Sequence, residues 1–350
     1  MNFASDNTAG IASAILDAMR SADQGFAPGY GADDLTRRVE ERIAEVFQRE
    51  VAVFLVPTGT AANALAIAHL SPSWGGVLCH AESHIAVDEC GAPEFFGAGL
   101  KLIELPGVGA KIAPGVLRTA LAQERRAPHS VVPSVLSLTQ ATEAGTVYAL
   151  DELHALAEMA HAHGLAVHMD GARFGNALVR LGVTAADATW KAGVDVLSFG
   201  ATKSGAMAAE AIVFFDPARA AGMGERRKRG GHLLSKHRFL AAQFDAYLRD
   251  DLWLALARHA NDAADKLAAR LAAAGFQPVW PVEANEVFVV LTGAADRKLR
   301  AAGAHYHPWS TNSLPADIAI GPDDVLVRLV TSFATSGAEI EIFAEIVAGC

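Results

Sequence analysis

Short apolar runs rich in β-branched residues alternate with longer helical stretches over the first two-thirds of the chain. The runs that predict strands lie at 51–56, 77–79, 100–105, 134–138, 166–169, 194–199 and 211–215, the last as a hairpin partner. Strands that are apolar throughout are buried on both faces, and strands separated by helices usually run parallel. The pattern therefore predicts an α/β domain with a mainly parallel sheet, whose ligands bind beyond the carboxyl ends of its strands.

The pattern changes near Asp250. A long amphipathic helix over 252–274 is followed by apolar strands at 286–291 and 325–330 and by a last helix that begins at Ala338. Together they make an α+β unit of about 100 residues, which is enough for a second domain. We expect residues 1–249 to form the large domain and residues 250–350 the small one.

Composition narrows the class of protein. Among 350 residues there are 29 Lys and Arg against 39 Asp and Glu, and a net charge of −10 disfavours nucleic acid and anionic membranes as partners. No apolar run has the roughly 20 residues of a membrane-spanning helix, and the N-terminus does not resemble a secretion signal. Cys79, Cys90 and Cys350 form no CxxC pair, which predicts neither disulfides nor a thiolate zinc site. We expect a cytoplasmic globular protein, and most such chains are enzymes.

Two strand ends carry the strongest chemical signals. Asp170 directly follows the strand at 166–169, where a carboxylate either points into the ligand crevice or caps a helix. Lys203 lies between small residues just past the strand at 194–199. Burial there favours the neutral amine, which forms Schiff bases, although a solvated turn is the simpler interpretation of any single lysine. One helix separates the two strands, so we expect the two side chains to be neighbours.

Two further segments suit a flat, phosphorylated ligand. Thr58, Gly59 and Thr60 stand between a strand and a helix N-terminus, where free amides and the helix dipole bind anions. Neither a Walker A loop nor a convincing G-x-G-x-x-G is present, so one phosphate fits better than a nucleotide. His84 could stack on a ring or transfer a proton. His80 and His84 could bind zinc if this stretch were helical, but the sequence is not H-E-x-x-H.

A phosphate site, a carboxylate, a buried lysine and a stacking histidine are the groups that pyridoxal phosphate needs. The lysine holds the cofactor's aldehyde as an imine. The carboxylate keeps the pyridine nitrogen protonated, which lets the ring accept electrons from a substrate carbanion. Residues from separate parts of the chain therefore predict this cofactor together.

In order and spacing, the motifs resemble the low-specificity threonine aldolases, a family of fold-type-I pyridoxal-phosphate enzymes. The motifs that carry the resemblance are Ser5–Thr8, Tyr30–Asp33, Pro57–Asn63, Glu82–Ile85, His168–Arg173, the Lys203 segment and Arg328–Thr331. They span nearly the whole chain. The resemblance implies a mainly parallel seven-stranded sheet in the large domain, a smaller C-terminal α+β domain and an N-terminal segment that reaches the active site.

The same resemblance implies an activity and an assembly. The activity is retro-aldol cleavage of L-β-hydroxy-α-amino acids, namely L-threonine, L-allo-threonine and L-phenylserine, to glycine and an aldehyde. The substrate is thus a small amino acid, and the enzyme is a carbon–carbon lyase of the aldehyde-lyase type. The assembly is a homo-oligomer, a tetramer or a dimer, with active sites shared between subunits.

Carried over by position, the resemblance assigns residues to the site. The catalytic residues it implies are Lys203, His84 and Asp170. The residues it implies for cofactor binding are these three with Gly59, Thr60, Arg173 and Lys228. The residues it implies for substrate binding are Ser5, Tyr30, Gln140, Arg173 and Arg328. Lys228 would reach the cofactor phosphate across a subunit interface, and Lys236 would replace an arginine that commonly serves the phosphate near Ser235.

Gln140 departs from the family's usual pattern. Many members carry a histidine after this strand, where it contacts the substrate hydroxyl. Glutamine can hydrogen-bond a hydroxyl but cannot accept its proton at neutral pH. We therefore expect His84 to act as the base, directly or through a water. The departure leaves the preferred β-substituent and the threo/erythro selectivity open, with aryl-serines beside threonine as candidate substrates.

Two other hypotheses compete with retro-aldol cleavage. With the same cofactor, a β-eliminating lyase would release pyruvate and ammonia, whereas an aminotransferase would need a keto-acid partner. A protein of another class would be a metal hydrolase that uses His80 and His84 without pyridoxal phosphate. A visible absorption band that disappears in Lys203→Ala would exclude the metal hydrolase.

Overall fold

A seven-stranded sheet forms the centre of the molecule. The computed structural model describes residues 1–312, 314–315 and 317–349. The strands are β1 (Ala52–Val56), β2 (Gly75–His80), β3 (Lys101–Leu105), β4 (Val132–Thr139), β5 (Ala166–Gly171), β6 (Val196–Gly200) and β7 (Glu210–Phe214). Their order is β1-β7-β6-β5-β4-β2-β3, and only β7 runs against its neighbours. The predicted mainly parallel sheet is confirmed, and all seven predicted strands are present with shifted ends.

Helices cover both faces of this sheet. Consecutive residues of β6 enter different cores: Leu197 packs with Phe174 and other side chains of one core, and Val196 packs with Ala61 and others of another. This follows from the alternation of side chains along a strand. The helices described are α1 (Ser13–Ala22), α2 (Asp34–Phe47), α3 (Gly59–Leu70), α4 (His84–Val87), α5 (Ala92–Phe96), α6 (Pro114–Leu121), α7 (Leu150–Ala162), α8 (Phe174–Leu181), α9 (Met223–Arg229), α10 (Arg238–Leu248), α11 (Leu252–Ala273), α12 (Gly293–Ala301) and α13 (Gly337–Ala348).

A second, three-stranded antiparallel sheet lies in the C-terminal part of the chain. Its order is β8-β10-β9, and its strands are β8 (Glu286–Leu291), β9 (His307–Pro308) and β10 (Val325–Val330). Side chains of α11, α12 and α13 pack against it in a separate core. Phe3 is fully buried in that core, and its backbone bonds His305 and Val330. The N-terminal segment is therefore attached to the second sheet.

Local signals explain where the helices begin and end. The helix predicted from Ala61 begins two residues earlier, because Thr58 caps it with a hydroxyl 3.1 Å from the Ala61 amide. Helix α7 ends before Gly164, whose φ of +74° is left-handed, as a C-terminal cap requires. The start of α3 therefore sets the length of the loop that leaves the carboxyl end of β1. The end of α7 sets the length of the loop that enters β5.

Two further expectations from the sequence concern membrane-spanning helices and the state of the cysteines. Across the described residues, no helix combines the length and the apolar composition needed to cross a membrane. Cys79 is buried and Cys90 exposed, and both thiols are free. Cys350 lies outside the described residues.

Candidate active site

A cavity of about 470 Å³ opens at the carboxyl ends of the parallel strands. Each of β1, β2, β4, β5 and β6 places residues in its wall at or just after its last residue, as expected for ligand sites of such sheets. The N-terminal segment and β10 close the opposite side. The sequence-predicted residues that line this cavity are Ser5, Gly59, Thr60, His84, Asp170, Arg173, Lys203 and Arg328.

Asp170 is buried near the end of β5 and points its carboxylate into this cavity. Its Oδ1 accepts a hydrogen bond from the Ala172 amide at 3.0 Å, and its Oδ2 accepts one from Asn63 Nδ2 at 2.7 Å. The alternative that Asp170 caps the next helix is wrong, because α8 begins at Phe174 and its capping position is Arg173. A buried carboxylate whose hydrogen-bond donors are all neutral can still pair with a cationic ligand atom.

Asn63 also connects Asp170 to the histidine. Its Nδ2 lies 2.8 Å from Glu89 Oε1, and the same oxygen lies 2.9 Å from His84 Nδ1. The hydrogen bond with Glu89 raises the pKa of His84 above its ordinary value. Sequence reasoning missed Asn63 and Glu89. Asn63 ends the Pro57–Asn63 motif but carries no signal of its own there, and Glu89 lies in the short loop between α4 and α5.

Lys203 lies in a single 3-10 turn, Thr202–Ser204, directly after β6. It is half-buried, and within the described part of the chain its ammonium has no hydrogen bond or ion pair with another side chain. The buried carboxyl of Glu210, on the neighbouring strand β7, also lines the cavity. Burial raises the pKa of Glu210 to about 7, although Thr202 and Lys203 act in the opposite direction. The amine is thus unengaged and faces an acidic group.

Two arginines that lie beside buried carboxylates also line the cavity. Arg173 donates from Nε to Asp6 Oδ2 at 2.8 Å and from Nη2 to Asp6 Oδ1 at 3.1 Å, and its Nη1 lies 3.4 Å from Glu286. Burial raises the pKa of Asp6, but Arg173 and Lys203 outweigh it and hold that pKa below its ordinary value. Arg328 lies 3.9 Å from Glu286 and stacks over Trp309. Its Nε is buried and has no hydrogen-bond partner among the residues that the structure describes.

Gln140 does not reach the cavity, which corrects the expectation that it contacts the substrate. Its side-chain amide is fully buried and forms two 2.9 Å hydrogen bonds with the backbone of Tyr148, one donated and one accepted. Glu143, three residues further along the same loop, lines the cavity instead. A loop side chain that turns back onto its own backbone is not visible in the sequence.

Tyr30 and Lys228 lie together, but outside the cavity of their own chain. The Lys228 ammonium is 4.5 Å from the centre of the Tyr30 ring, and both side chains are exposed. Lys236 is exposed too. It is next to Ser235, whose carbonyl accepts a hydrogen bond from the Tyr30 amide. The three side chains therefore belong to the molecular surface, which is where a contribution to another subunit would have to lie.

The zinc alternative fails on local structure. His80 ends β2 and α4 begins only at His84, so the two imidazoles do not share a helical face. Both ring nitrogens of His80 are engaged, Nε2 with the Gly107 carbonyl and Nδ1 with the Glu82 amide. Among the described residues, no three His, Cys, Asp or Glu side chains are arranged to hold a metal ion.

The cavity fits pyridoxal phosphate. The Lys203 amine, the buried Asp170 carboxylate and the half-exposed His84 imidazole all line the cavity at the carboxyl edge of the sheet. At the start of α3 a Cβ on Gly59 would meet no atom of the described residues within 4 Å, so the helix N-terminus is open to a phosphate. These are the contacts that the aldehyde, the pyridine nitrogen, the ring and the phosphate require. The fold and this donor set define a pyridoxal-phosphate-dependent enzyme of fold type I.

Comparison with known proteins agrees with this class. A model of the beta-eliminating lyase family matches residues 2–294. This chain is 45% identical to the low specificity L-threonine aldolase of Pseudomonas aeruginosa and 43% identical to that of a Pseudomonas species. Each match covers 88% of this chain and 89% of the relative. The structure of Leishmania major threonine aldolase superposes with a TM-score of 0.91 at 29% identity and covers 99% of this chain and 98% of that one. The chain therefore belongs to the beta-eliminating lyase family, among the low-specificity L-threonine aldolases, and is a lyase.

Proposed function

We propose that this enzyme cleaves L-β-hydroxy-α-amino acids to glycine and an aldehyde, with L-threonine, L-allo-threonine and L-phenylserine as substrates. The observation that carries the proposal is the joint presence in one cavity of Lys203, Asp170 and His84 with Arg173 and Arg328. In our proposal the first three residues serve an amine-linked cofactor, and the two arginines serve an α-carboxylate. The names of the relatives support the same reaction.

Bound pyridoxal phosphate supplies an electron-accepting ring that takes up the electron pair of a bond broken at Cα. In our proposal Lys203 holds the cofactor's aldehyde carbon, and Asp170 holds the proton of the pyridine nitrogen. His84, whose orientation is fixed by Glu89, would stack on the ring. The backbone amides of Gly59 and Thr60, with the dipole of α3, hold the phosphate.

The α-carboxylate of the substrate binds to Arg328, Arg173 and Ser5 in our proposal. Arg328 is the main partner, because the Glu286 carboxylate is 3.9 Å away and, within the described part of the chain, Nε of Arg328 has no hydrogen-bond partner. Arg173 already binds Asp6 with two nitrogens, so it offers only Nη1. A planar guanidinium that is short of acceptors suits a planar carboxylate.

We also propose a homotetramer in which Tyr30 and Lys228 of one subunit reach the cavity of a neighbour. Their exposure and mutual contact outside their own chain's cavity support this arrangement. Mixing unfolded Lys203→Ala with unfolded Lys228→Ala and refolding them together should restore part of the activity, because a hybrid contains one intact shared site. Refolding each variant alone should restore none.

Two further proposals concern the domain boundary and the cellular location. We propose residues 1–249 and 250–350 as the two domains, supported by the two separate sheets on either side of this boundary. We propose a cytoplasmic location, supported by the free thiols of Cys79 and Cys90.

The reaction is tested by product analysis with L-threonine, L-allo-threonine and L-phenylserine in parallel. Glycine with acetaldehyde or benzaldehyde is the expected result. Pyruvate or 2-oxobutyrate with ammonia would identify β-elimination instead, and keto-acid-dependent transfer of the amino group would identify an aminotransferase. The Lys203→Ala variant should lose both the visible absorption of the bound cofactor and the cleavage.

A further inference from the structure

Glu143 is a buried carboxyl in the cavity wall with one oxygen engaged and one oxygen free. Its Oε1 accepts a hydrogen bond from the His84 amide at 2.8 Å and from the Thr139 hydroxyl at 3.1 Å. Its Oε2 is buried and has no partner among the described residues. A buried carboxylate oxygen without a donor costs free energy, and in a ligand cavity the missing donor is supplied by the ligand.

The surroundings of Glu143 suit proton transfer. Burial, and then the nearby charge of Asp170, raise the pKa of Glu143 to about 7, while its hydrogen bond from His84 acts in the opposite direction. A carboxyl with such a pKa changes between its acid and base forms close to neutral pH. A group of that kind is an efficient general base, because it is free of its proton yet basic enough to take one.

The other candidates for this role are engaged elsewhere. Gln140 is bound to the Tyr148 backbone and cannot take a proton in any case. His84 is bound through Nδ1 to Glu89, which raises its pKa and favours the imidazolium over the base. Glu210 interacts with Thr202 and Lys203.

We propose that the Glu143 carboxylate binds the side-chain hydroxyl of the substrate and accepts its proton as the Cα–Cβ bond breaks. The group that this hydroxyl requires is thus on the loop after β4, three residues beyond the position that the sequence indicated. This assignment rests on the proposed retro-aldol function and names its base.

The atoms and electrons balance in this step. The substrate's O–H bond breaks, and a new O–H bond forms at Oε2 of Glu143. The electron pair left on the oxygen becomes the second bond of the aldehyde carbonyl, and the pair of the broken Cα–Cβ bond remains at Cα. Cα then takes up one proton to give glycine. Glu143 releases its proton to water as the aldehyde leaves, so one proton is released and one is taken up in each turnover.

The decisive variant is Glu143→Gln in the holoenzyme. Glutamine keeps an oxygen for the His84 amide and the Thr139 hydroxyl but cannot accept a proton. We expect kcat for L-threonine and L-allo-threonine to fall by about 100-fold or more, the usual effect of losing a general base. Exchange of the glycine α-hydrogen for deuterium, followed by proton NMR, involves no hydroxyl and should stay within about threefold of the wild type. Cofactor affinity, measured by absorbance titration, should be unchanged.

Two further variants complete the experiment. Glu158→Gln makes the same substitution on the exposed side of α7 and should change neither reaction. Glu143→Asp keeps a carboxylate one methylene further back and should recover at least about tenfold of the activity lost in Glu143→Gln.

Each remaining outcome has a definite meaning. If Glu143→Gln cleaves threonine within threefold of an active wild type, Glu143 is not the base. If cleavage, glycine exchange and cofactor affinity all fall together, Glu143 only supports the loop and the assignment is wrong. If the wild type forms no glycine and aldehyde, the proposed function is wrong, and this role is withdrawn with it.

Discussion

Asn63 is the residue on which the polar chain of the cavity depends. Its amide donates to both Asp170 and Glu89, and Glu89 in turn orients His84. No other side chain that the structure describes donates to Asp170. Replacing Asn63 therefore removes a hydrogen-bond donor from two buried carboxylates at once, those of Asp170 and Glu89. The loss should affect cofactor binding, because Asp170 and His84 would no longer be held in the same orientation.

We expect Asn63→Ala to lower the free energy of unfolding by about 1–3 kcal/mol, the cost of buried acceptors left without a partner. Cofactor affinity should fall about tenfold, which corresponds to about 1.4 kcal/mol. Urea unfolding and absorbance titration measure the two effects. Asn7→Ala, at an exposed position of the N-terminal segment, offers no such donor, and its unfolding free energy should match that of the wild type. Equal cofactor affinity in Asn63→Ala and wild type would contradict the argument.

Strand ends made some residues of this site predictable and left others hidden. Asp170 and Lys203 follow apolar runs directly, and the carboxyl edge of a parallel sheet brings such positions together. Asn63 and Asp170 are 107 positions apart, and nothing local in the sequence shows that they meet. The prediction that Gln140 contacts the substrate is wrong, because the residue follows β4 at the carboxyl edge of the sheet but its side chain turns toward the Tyr148 backbone.

At the scale of elements, the start of α3 is organised for an anion. Thr58 caps the helix with its own hydroxyl, which satisfies the Ala61 amide and leaves the earlier amides free. Gly59 has a helical backbone conformation and open space where a Cβ would lie. The open space serves no purpose in packing, so the absence of a side chain matters only when a ligand is present.

We expect Gly59→Ala to leave the stability of the cofactor-free protein unchanged or slightly higher, because alanine favours helix. Cofactor affinity should fall about tenfold, or about 1.4 kcal/mol, because the methyl group occupies the phosphate's space. Gly115→Ala is the matched control: it lies in the first turn of α6, also meets no atom within 4 Å, and is remote from the cavity. Thermal unfolding and cofactor titration of both variants decide the matter, and equal affinities would contradict the role of Gly59.

Elements were more predictable than their ends. The seven predicted strands are all present, because a continuous apolar run buried on both faces is a strong signal. The ends moved where a capping side chain or a turn decided them: α3 starts early because of Thr58. Strand β9 was not predicted at all, since a pair of residues, His307–Pro308, gives no periodicity to detect.

At the scale of the whole molecule, Asp6 joins three distant parts of the chain. It binds Arg173, which follows β5, and accepts a hydrogen bond from Asn285 at 3.1 Å, beside β8. Arg173 in turn faces Glu286 at 3.4 Å. The N-terminal segment, the central sheet and the second sheet are therefore held together by one buried cluster of charges.

We expect Asp6→Ala to lower the free energy of unfolding by about 3–5 kcal/mol, because it leaves the buried Arg173 without its main partner. The N-terminal segment should also become sensitive to proteolysis. Asp17→Ala removes an exposed ion pair with Arg20 and should cost no more than about 1 kcal/mol. Urea unfolding and limited proteolysis test both variants. An Asp6→Ala protein as stable as Asp17→Ala would contradict the role of the cluster.

The stability of the cofactor-free protein should also depend on the buried acid Glu210. Its pKa is raised to about 7 in the folded protein, against about 4.5 when unfolded, so the folded state binds this proton more tightly. Its contribution to stability is complete below about pH 4.5 and is lost as the pH rises through about 7. Between about pH 5 and pH 8, the fall in unfolding free energy should be smaller in Glu210→Gln than in the wild type. Identical pH profiles would refute the assignment.

The contact between Asp6 and Asn285 also has a consequence for biosynthesis. These two residues are 279 positions apart. On the ribosome, Asp6 emerges long before its partner is made, because synthesis proceeds from the amino to the carboxyl end. A nascent chain that ends before β8 can assemble its central sheet but cannot seat its own N-terminal segment. Catalytic competence should thus be acquired only after β8 has been synthesised.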